Sequence, residues 1–195
     1  MGSDKTETVR PLRGETETER PIGLFDSGVG GLSVLRYVRE LLPSENLIYV
    51  ADQAWVPYGS RPRSTILQRS KKITEFLLEI ECKLIAVACN TASAAALSEL
   101  RDLYSVPFVG MEPAVKPGAE ATKSGKVGVL ATAGTFESQR YASLMERYAD
   151  GVRLFENRCH GLVELIEAGE LDSAETLNLL VSCLLYTSPS PRDRG

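Results

Sequence analysis

The chain predicts an α/β fold with parallel sheets covered by helices on both faces. Two observations carry this: short apolar runs alternate with amphipathic stretches from residue 21 onward, and the connections between them are brief. A length of 195 residues, 43% hydrophobic and 25% charged, suffices for one good core or two small ones. Folds of this class meet their ligands at the carboxyl ends of the strands, so the loops that follow strands are the informative ones.

Residues 1–20 carry many charges and only scattered apolar side chains, too few to offset ordering entropy, and predict a disordered leader. Ile22-Gly23-Leu24-Phe25 is a short apolar run. Asp26-Ser27-Gly28-Val29-Gly30-Gly31 follows, and then Leu32, Leu35, Val38 and Leu42 recur at near-helical spacing, so the order is strand, glycine loop, helix. The unit repeats with a strand at 47–51, a loop over 52–63, and a helix on which Ile66, Leu67, Ser70, Ile73, Leu77 and Leu78 share a face. A third strand at 84–88 hands over at Cys89 to an alanine-rich helix at 92–104, whose intrinsic propensity is high. The spacing then predicts a strand at 106–111, a short helix at 114–121, a strand at 126–130, a helix at 136–148, a strand at 152–155 and a helix at 162–168. From about 182 to 195, prolines and clustered charge replace this rhythm and predict a foreign tail, of the kind left by read-through or a frameshift.

Net charge is -4, from 26 acidic against 22 basic residues, which gives no global attraction to phosphate backbones or anionic lipid. No stretch approaches the roughly 18–20 apolar residues of a membrane span, and the N-terminus lacks the apolar core of a secretory signal, so the cytoplasm is the expected compartment. The four cysteines, Cys82, Cys89, Cys159 and Cys183, form no CxxC pair, and a reducing compartment argues against a disulfide framework.

The first strand's loop, Asp26 to Gly31, exposes backbone N–H groups to an anion. Asp26 repels phosphate there but suits an ammonium group or a general base; a plain N-cap is the alternative. After the second strand come Asp52 and Val56-Pro57-Tyr58-Gly59, where Tyr58 can donate its phenol and Gly59 exposes an amide, although such residues are common in ordinary loops. Cys89 is the sharpest feature. It lies where a strand hands over to a helix, flanked by Asn90 and Thr91, where a helix dipole can lower its thiol pKa and nearby amides and hydroxyls can hold a carboxylate. Buried cysteines are usually inert fillers, as expected for Cys82. Ala131-Thr132-Ala133-Gly134-Thr135 is a further hydroxyl-rich loop that can take a second carboxylate or simply cap its helix. Cys159 and His160 are adjacent, so their side chains do not face each other, and no ligand cluster beside them suggests a metal. Cys183 falls in the tail and receives no role.

Taken in order, Phe25-Asp26-Ser27-Gly28-Val29-Gly30-Gly31, Tyr49-Val50-Ala51-Asp52, Pro57-Tyr58-Gly59 and Ala88-Cys89-Asn90-Thr91-Ala92-Ser93 resemble the glutamate racemase family. The likeness runs on through Gly128-Val129-Leu130-Ala131-Thr132 and Gly161-Leu162-Val163-Glu164-Leu165. The resemblance implies two similar domains, here 21–111 and an incomplete 112–181, with one cysteine from each addressing opposite faces of glutamate, and neither pyridoxal phosphate nor metal. It implies conversion of L-glutamate to D-glutamate for peptidoglycan synthesis, with one thiolate removing the α-proton and the opposing thiol returning one. Carried over by position, Cys89 is one acid/base and Asp26 assists proton transfer. Ser27, Tyr58, Gly59, Asn90, Thr91, Thr132 and Thr135, with Asp26, bind substrate, and Asp52 matches an acidic position near the site. Gly110-Met111-Glu112-Pro113-Ala114-Val115-Lys116-Pro117 resembles the subtype activated by a peptidoglycan precursor, and the family leaves room for a homodimer.

The family's second thiol sits in a Gly-Cys-Thr-His-type motif, and no cysteine here is followed by Thr-His. The expectation is therefore a chain truncated before its second thiol. Two rivals stand beside the racemase: a single-cysteine decarboxylase of the same fold, which protonates a carbanion from one face, and an inactive fragment that only binds a dicarboxylate or a partner.

Overall fold

The computed structural model describes residues 18–187. Most of the expected leader, and the part of the expected tail beyond residue 187, lie outside the described residues. The element order is β1 (Ile22–Asp26), α1 (Leu32–Leu41), β2 (Leu47–Ala51), α2 (Arg63–Glu79), β3 (Leu84–Val87), α3 (Asn90–Leu103), β4 (Phe108–Gly110), α4 (Val115–Ala121), β5 (Lys126–Leu130), α5 (Ala133–Phe136), α6 (Gln139–Tyr148), β6 (Arg153–Asn157), α7 (Leu162–Glu167) and α8 (Ala174–Thr187). The α/β class with parallel sheets and flanking helices is therefore observed.

Four strands form one parallel sheet in the order β2-β1-β3-β4, and β5 pairs with β6, also in parallel, in a second sheet. β1 is flanked on both sides and buried along its whole length, which is why its sequence is a continuous apolar run rather than an alternating one. The first core gathers Phe25, Ile66, Ile73, Leu77, Ile85, Val87, Leu97 and Leu100 between the sheet and the α2–α3 pair. Each such side chain contributes about 1.5–3 kcal/mol by leaving water. Ala92 and Ala96 are fully buried on α3, which rationalises the alanine-rich composition of this helix. The second, smaller core centres on Val115, Tyr141 and Leu144.

Several boundaries differ from expectation for local reasons. β4 begins only at Phe108 because Pro107 has no N–H to donate to a ladder. The helix expected at 136–148 begins only at Gln139, as α6, because Ser138 caps its start by accepting the Tyr141 N–H at 3.1 Å, and the short α5 occupies Ala133–Phe136, where a loop is expected. Helix α8, not foreseen, runs through Ser182 to Thr187, where the foreign tail was expected to begin, and packs against β5, β6 and α7. On α2, Ile66, Ser70, Ile73 and Leu77 are buried together with Thr74, whereas Leu67 and Leu78 are only partly covered. Among the described residues no helix is long and apolar enough to cross a membrane.

Candidate active site

The strand order places a switch point between β1 and β3, because the chain crosses from β1 to β2 on one side and then to β3 on the other. Phe25 pairs in register with Val87, so the loops that follow both strands emerge side by side at the carboxyl edge. This register brings Asp26 and Ser27 beside Cys89, although about sixty residues separate them in sequence. Ser27 Oγ lies 3.6 Å from Cys89 Sγ, at hydrogen-bond distance for sulfur.

Asp26 is buried and organises its own loop. Its Oδ1 accepts the Ser27 N–H at 2.7 Å and its Oδ2 accepts the Gly31 N–H at 2.6 Å. The carboxylate thus satisfies donors at the start of α1 without being its cap residue, which is Gly31.

Cys89 is the N-cap of α3, with extended backbone angles and its sulfur accepting the Ala92 N–H at 3.4 Å. The helix terminus and Ser27 do favour the thiolate, as expected, but they are outweighed. Burial, and then the negative charge of Asp26, push the Cys89 thiol up to about 11. The expected lowering of its pKa is therefore corrected: at 7% exposure, desolvation exceeds what one helix terminus supplies.

Thr91, on the first turn of α3, faces the loop after β5. Its Oγ1 lies 2.9 Å from Thr132 Oγ1 and 3.4 Å from Thr135 Oγ1, and the last two are 3.1 Å apart, a triangle of hydroxyls joining the two sheets' loops. Asn90 is exposed at the helix start. Gly59 abuts this triangle: a Cβ added there would stand 2.6 Å from Thr132 Cβ. Gly59→Ala is accordingly expected to push the Tyr58 turn away from Thr132 and to weaken binding of a carboxylate ligand about tenfold or more, measured by titration calorimetry beside an unchanged far-ultraviolet spectrum.

Buried Asp52 and Tyr58 and half-buried Arg69 form a network beneath this turn. Tyr58, 1% exposed, donates its hydroxyl proton to Asp52 Oδ2 at 2.6 Å, so the phenol expected to face a ligand is committed to a carboxylate. Burial would raise the Asp52 carboxyl, but the Arg69 guanidinium and the Tyr58 hydroxyl outweigh it and hold it below the ordinary range.

Three participants were missed in the sequence. Glu167, at the end of α7, aims its carboxylate at the glycine loop: both oxygens accept the Val29 N–H, at 3.0 and 3.2 Å, and one accepts Gln53 Nε2 at 3.1 Å. A Cβ on Gly28 would meet the Glu167 carboxylate, so any side chain there would displace Glu167 from the loop. The loop does meet an anion, as its exposed amides suggest, but an internal one. Tyr49 donates to the Gly28 carbonyl at 2.9 Å from within β2. Arg69 sits among polar neighbours on α2, where only its distance from Asp52 in space, not in sequence, reveals its part. Cys159 is buried with its N–H on Asn157 Oδ1 and lies against Cys183 of α8, while Cys82 is buried just before β3, at the opposite end of that strand from Cys89.

A thiol at the switch point of a parallel sheet, beside a carboxylate and a serine hydroxyl, defines a candidate acid/base site. The family profile described as Asp/Glu/Hydantoin racemase matches residues 32–186, and the chain belongs to that family. It is 57% identical over 161 residues to the glutamate racemase of Pseudomonas paraeruginosa, covering 82% of this chain and 61% of that protein. Against the glutamate racemase of Roseiflexus sp. it is 53% identical over 165 residues, covering 84% and 61% respectively. Among solved structures it resembles Escherichia coli glutamate racemase in complex with L-glutamate and the activator UDP-MurNAc-Ala, at a TM-score of 0.77 and 39% identity over 85% of this chain and 63% of that one. The Francisella tularensis glutamate racemase in complex with D-glutamate gives a TM-score of 0.75 and 31% identity, over 89% of this chain and 66% of that one. The chain thus spans about 61% of the length of the curated relatives quoted.

Proposed function

We propose that this chain carries one half of the catalytic apparatus of a glutamate racemase that interconverts L- and D-glutamate for cell-wall peptidoglycan, without a cofactor. The observation that carries the reading is Cys89 Sγ at the switch point, 3.6 Å from Ser27 Oγ, at the start of the helix whose first turn carries Thr91 and its hydroxyl contacts with Thr132 and Thr135. In one direction the Cys89 thiolate takes the α-proton of glutamate, forming the S–H bond as the Cα–H bond breaks and leaving the electron pair on the α-carbon and its carboxylate. A second thiol, supplied from the part of the family's length that this chain does not span, then donates a proton to the opposite face. In the other direction Cys89 is the donor, which suits a thiol held protonated at neutral pH by burial. The Thr91, Thr132 and Thr135 hydroxyls supply donors where negative charge develops.

In this reading Asp26 supports proton transfer. Ser27, Gly59, Asn90, Thr91, Thr132 and Thr135 line the substrate, and Tyr58 acts by holding Gly59. The segments 21–111 and 112–181 correspond to the two domains, and the enzyme works in the cytoplasm. The segment at 110–117 is the candidate contact for a peptidoglycan-precursor activator: the Met111 N–H is held by Ser93 Oγ at 2.9 Å and Glu112 pairs with Arg140 at 2.6 Å, which ties it to α3 and α6.

Titration of this chain with D- and L-glutamate, run beside a racemisation assay of the chain and of its full-length parent, tests the proposal. Expected are binding by both and turnover by the parent alone. Turnover by the 195-residue chain would remove the need for a second thiol, and loss of carbon dioxide from substituted malonates with no glutamate turnover would favour a decarboxylase.

A further inference from the structure

We propose that Arg69 is a positioning residue for the Cys89 site: through Asp52 it pegs the Tyr58 hydroxyl and so seats Gly59 against Thr132. The inference rests on reading the Cys89 loop as the glutamate site, and adds to it a residue two turns inside α2.

Arg69 grips Asp52 with two parallel bonds, Nε to Oδ2 at 2.9 Å and Nη2 to Oδ1 at 2.7 Å. A fork of this kind fixes the plane of a carboxylate, which a single ammonium does not. Asp52 is itself anchored at the end of β2, its N–H donating to the Asp26 carbonyl at 3.0 Å, so the carboxylate is referenced to the strand that carries Asp26. With both oxygens committed to Arg69 and held ionised, Asp52 is acceptor-only, and the one proton of Tyr58 has a single short destination at 2.6 Å. Trp55 closes the outer side: its ring lies 5.0 Å from the Arg69 guanidinium, a cation–π contact that shields the ion pair from water and limits the rotamers open to Arg69. Gly59 directly follows Tyr58 and lies close against Thr132, where an added Cβ would stand 2.6 Å from the Thr132 Cβ. A shift of the Tyr58 ring therefore becomes a shift of the Gly59 amide, and misplacement of that order is costly in a site that works by geometry.

The peg has a signature independent of turnover. A buried hydroxyl proton held at 2.6 Å by a carboxylate is expected as a slowly exchanging, downfield proton resonance of the chain, assigned by its loss in Tyr58→Phe. In Arg69→Met it is expected to vanish into exchange, and glutamate affinity by titration calorimetry is expected to fall at least about tenfold with an unchanged circular dichroism spectrum. Arg69→Lys, which returns charge without the fork, is expected to recover part of both. Should Arg69→Met fail to fold, the lysine variant decides in the same direction with smaller changes. A resonance that persists in the variants, or is lost while glutamate affinity stays that of the unaltered chain, overturns the proposal. If the unaltered chain binds no glutamate at all, the reading of the Cys89 site fails instead, and the resonance alone decides whether Arg69 holds Tyr58.

Discussion

Cys89→Ser, in the chain joined to the part of the family's length that it does not span, is expected to abolish exchange of the glutamate α-proton while leaving the fold in place. Serine at the N-cap of α3 accepts the Ala92 N–H at least as well as a thiol does, since hydroxyls are among the preferred caps, so the helix keeps its start. What is lost is the acid/base group. A serine hydroxyl is far less acidic than a thiol and its C–O bond is shorter, so it neither forms the conjugate base nor reaches the α-carbon. Removal of a positioned proton-transfer group typically costs roughly 10²–10⁴-fold in rate. Proton NMR of D- and L-glutamate in deuterated solvent measures the exchange, and thermal unfolding monitors the fold. Exchange at the unaltered rate would sink the assignment of Cys89.

Asp26→Asn is expected to act in two opposed ways. Asp26 is the second contributor, after burial, to the raised thiol of Cys89, so removing its negative charge favours the thiolate. The pH profile of Cys89 alkylation is therefore expected to move down from its position near 11, and an unchanged profile would show that burial alone sets it. At the same time the amide replaces one acceptor oxygen with a donor. The Ser27 and Gly31 N–H groups, at 2.7 and 2.6 Å, cannot both be satisfied, which costs about 1–3 kcal/mol of stability in urea unfolding. A more reactive cysteine in a less stable loop, with racemisation by the parent lost, is the combined expectation. It separates the charge of Asp26 from its role as the clasp of the loop.

Much of the first sheet was legible because its signals are local. β2 matches its expected strand to the residue, as does β5, since each is a short apolar or β-branched run bounded by turn residues. The ends of β3 and α3 converge on Cys89 within two residues of expectation. Ser138 is a readable cap, and its omission explains a helix start expected at 136 and found at 139. α8 was missed because it is a run of helix formers whose packing partners, β5 and β6, are not adjacent in sequence.

By itself, the sequence determined the α/β alternation, the strand-end positions of Asp26, Asp52, Cys89 and Thr132, and hence the family resemblance, because each depends on periodicity or on residue types within one short segment. Tertiary structure alone decided which of these loops face one another, that Tyr58 spends its proton on Asp52, that Glu167 supplies the anion over the glycine loop, and that Cys89 is held as a thiol near 11. Pairing and desolvation are properties of distance and burial, and no local pattern encodes them.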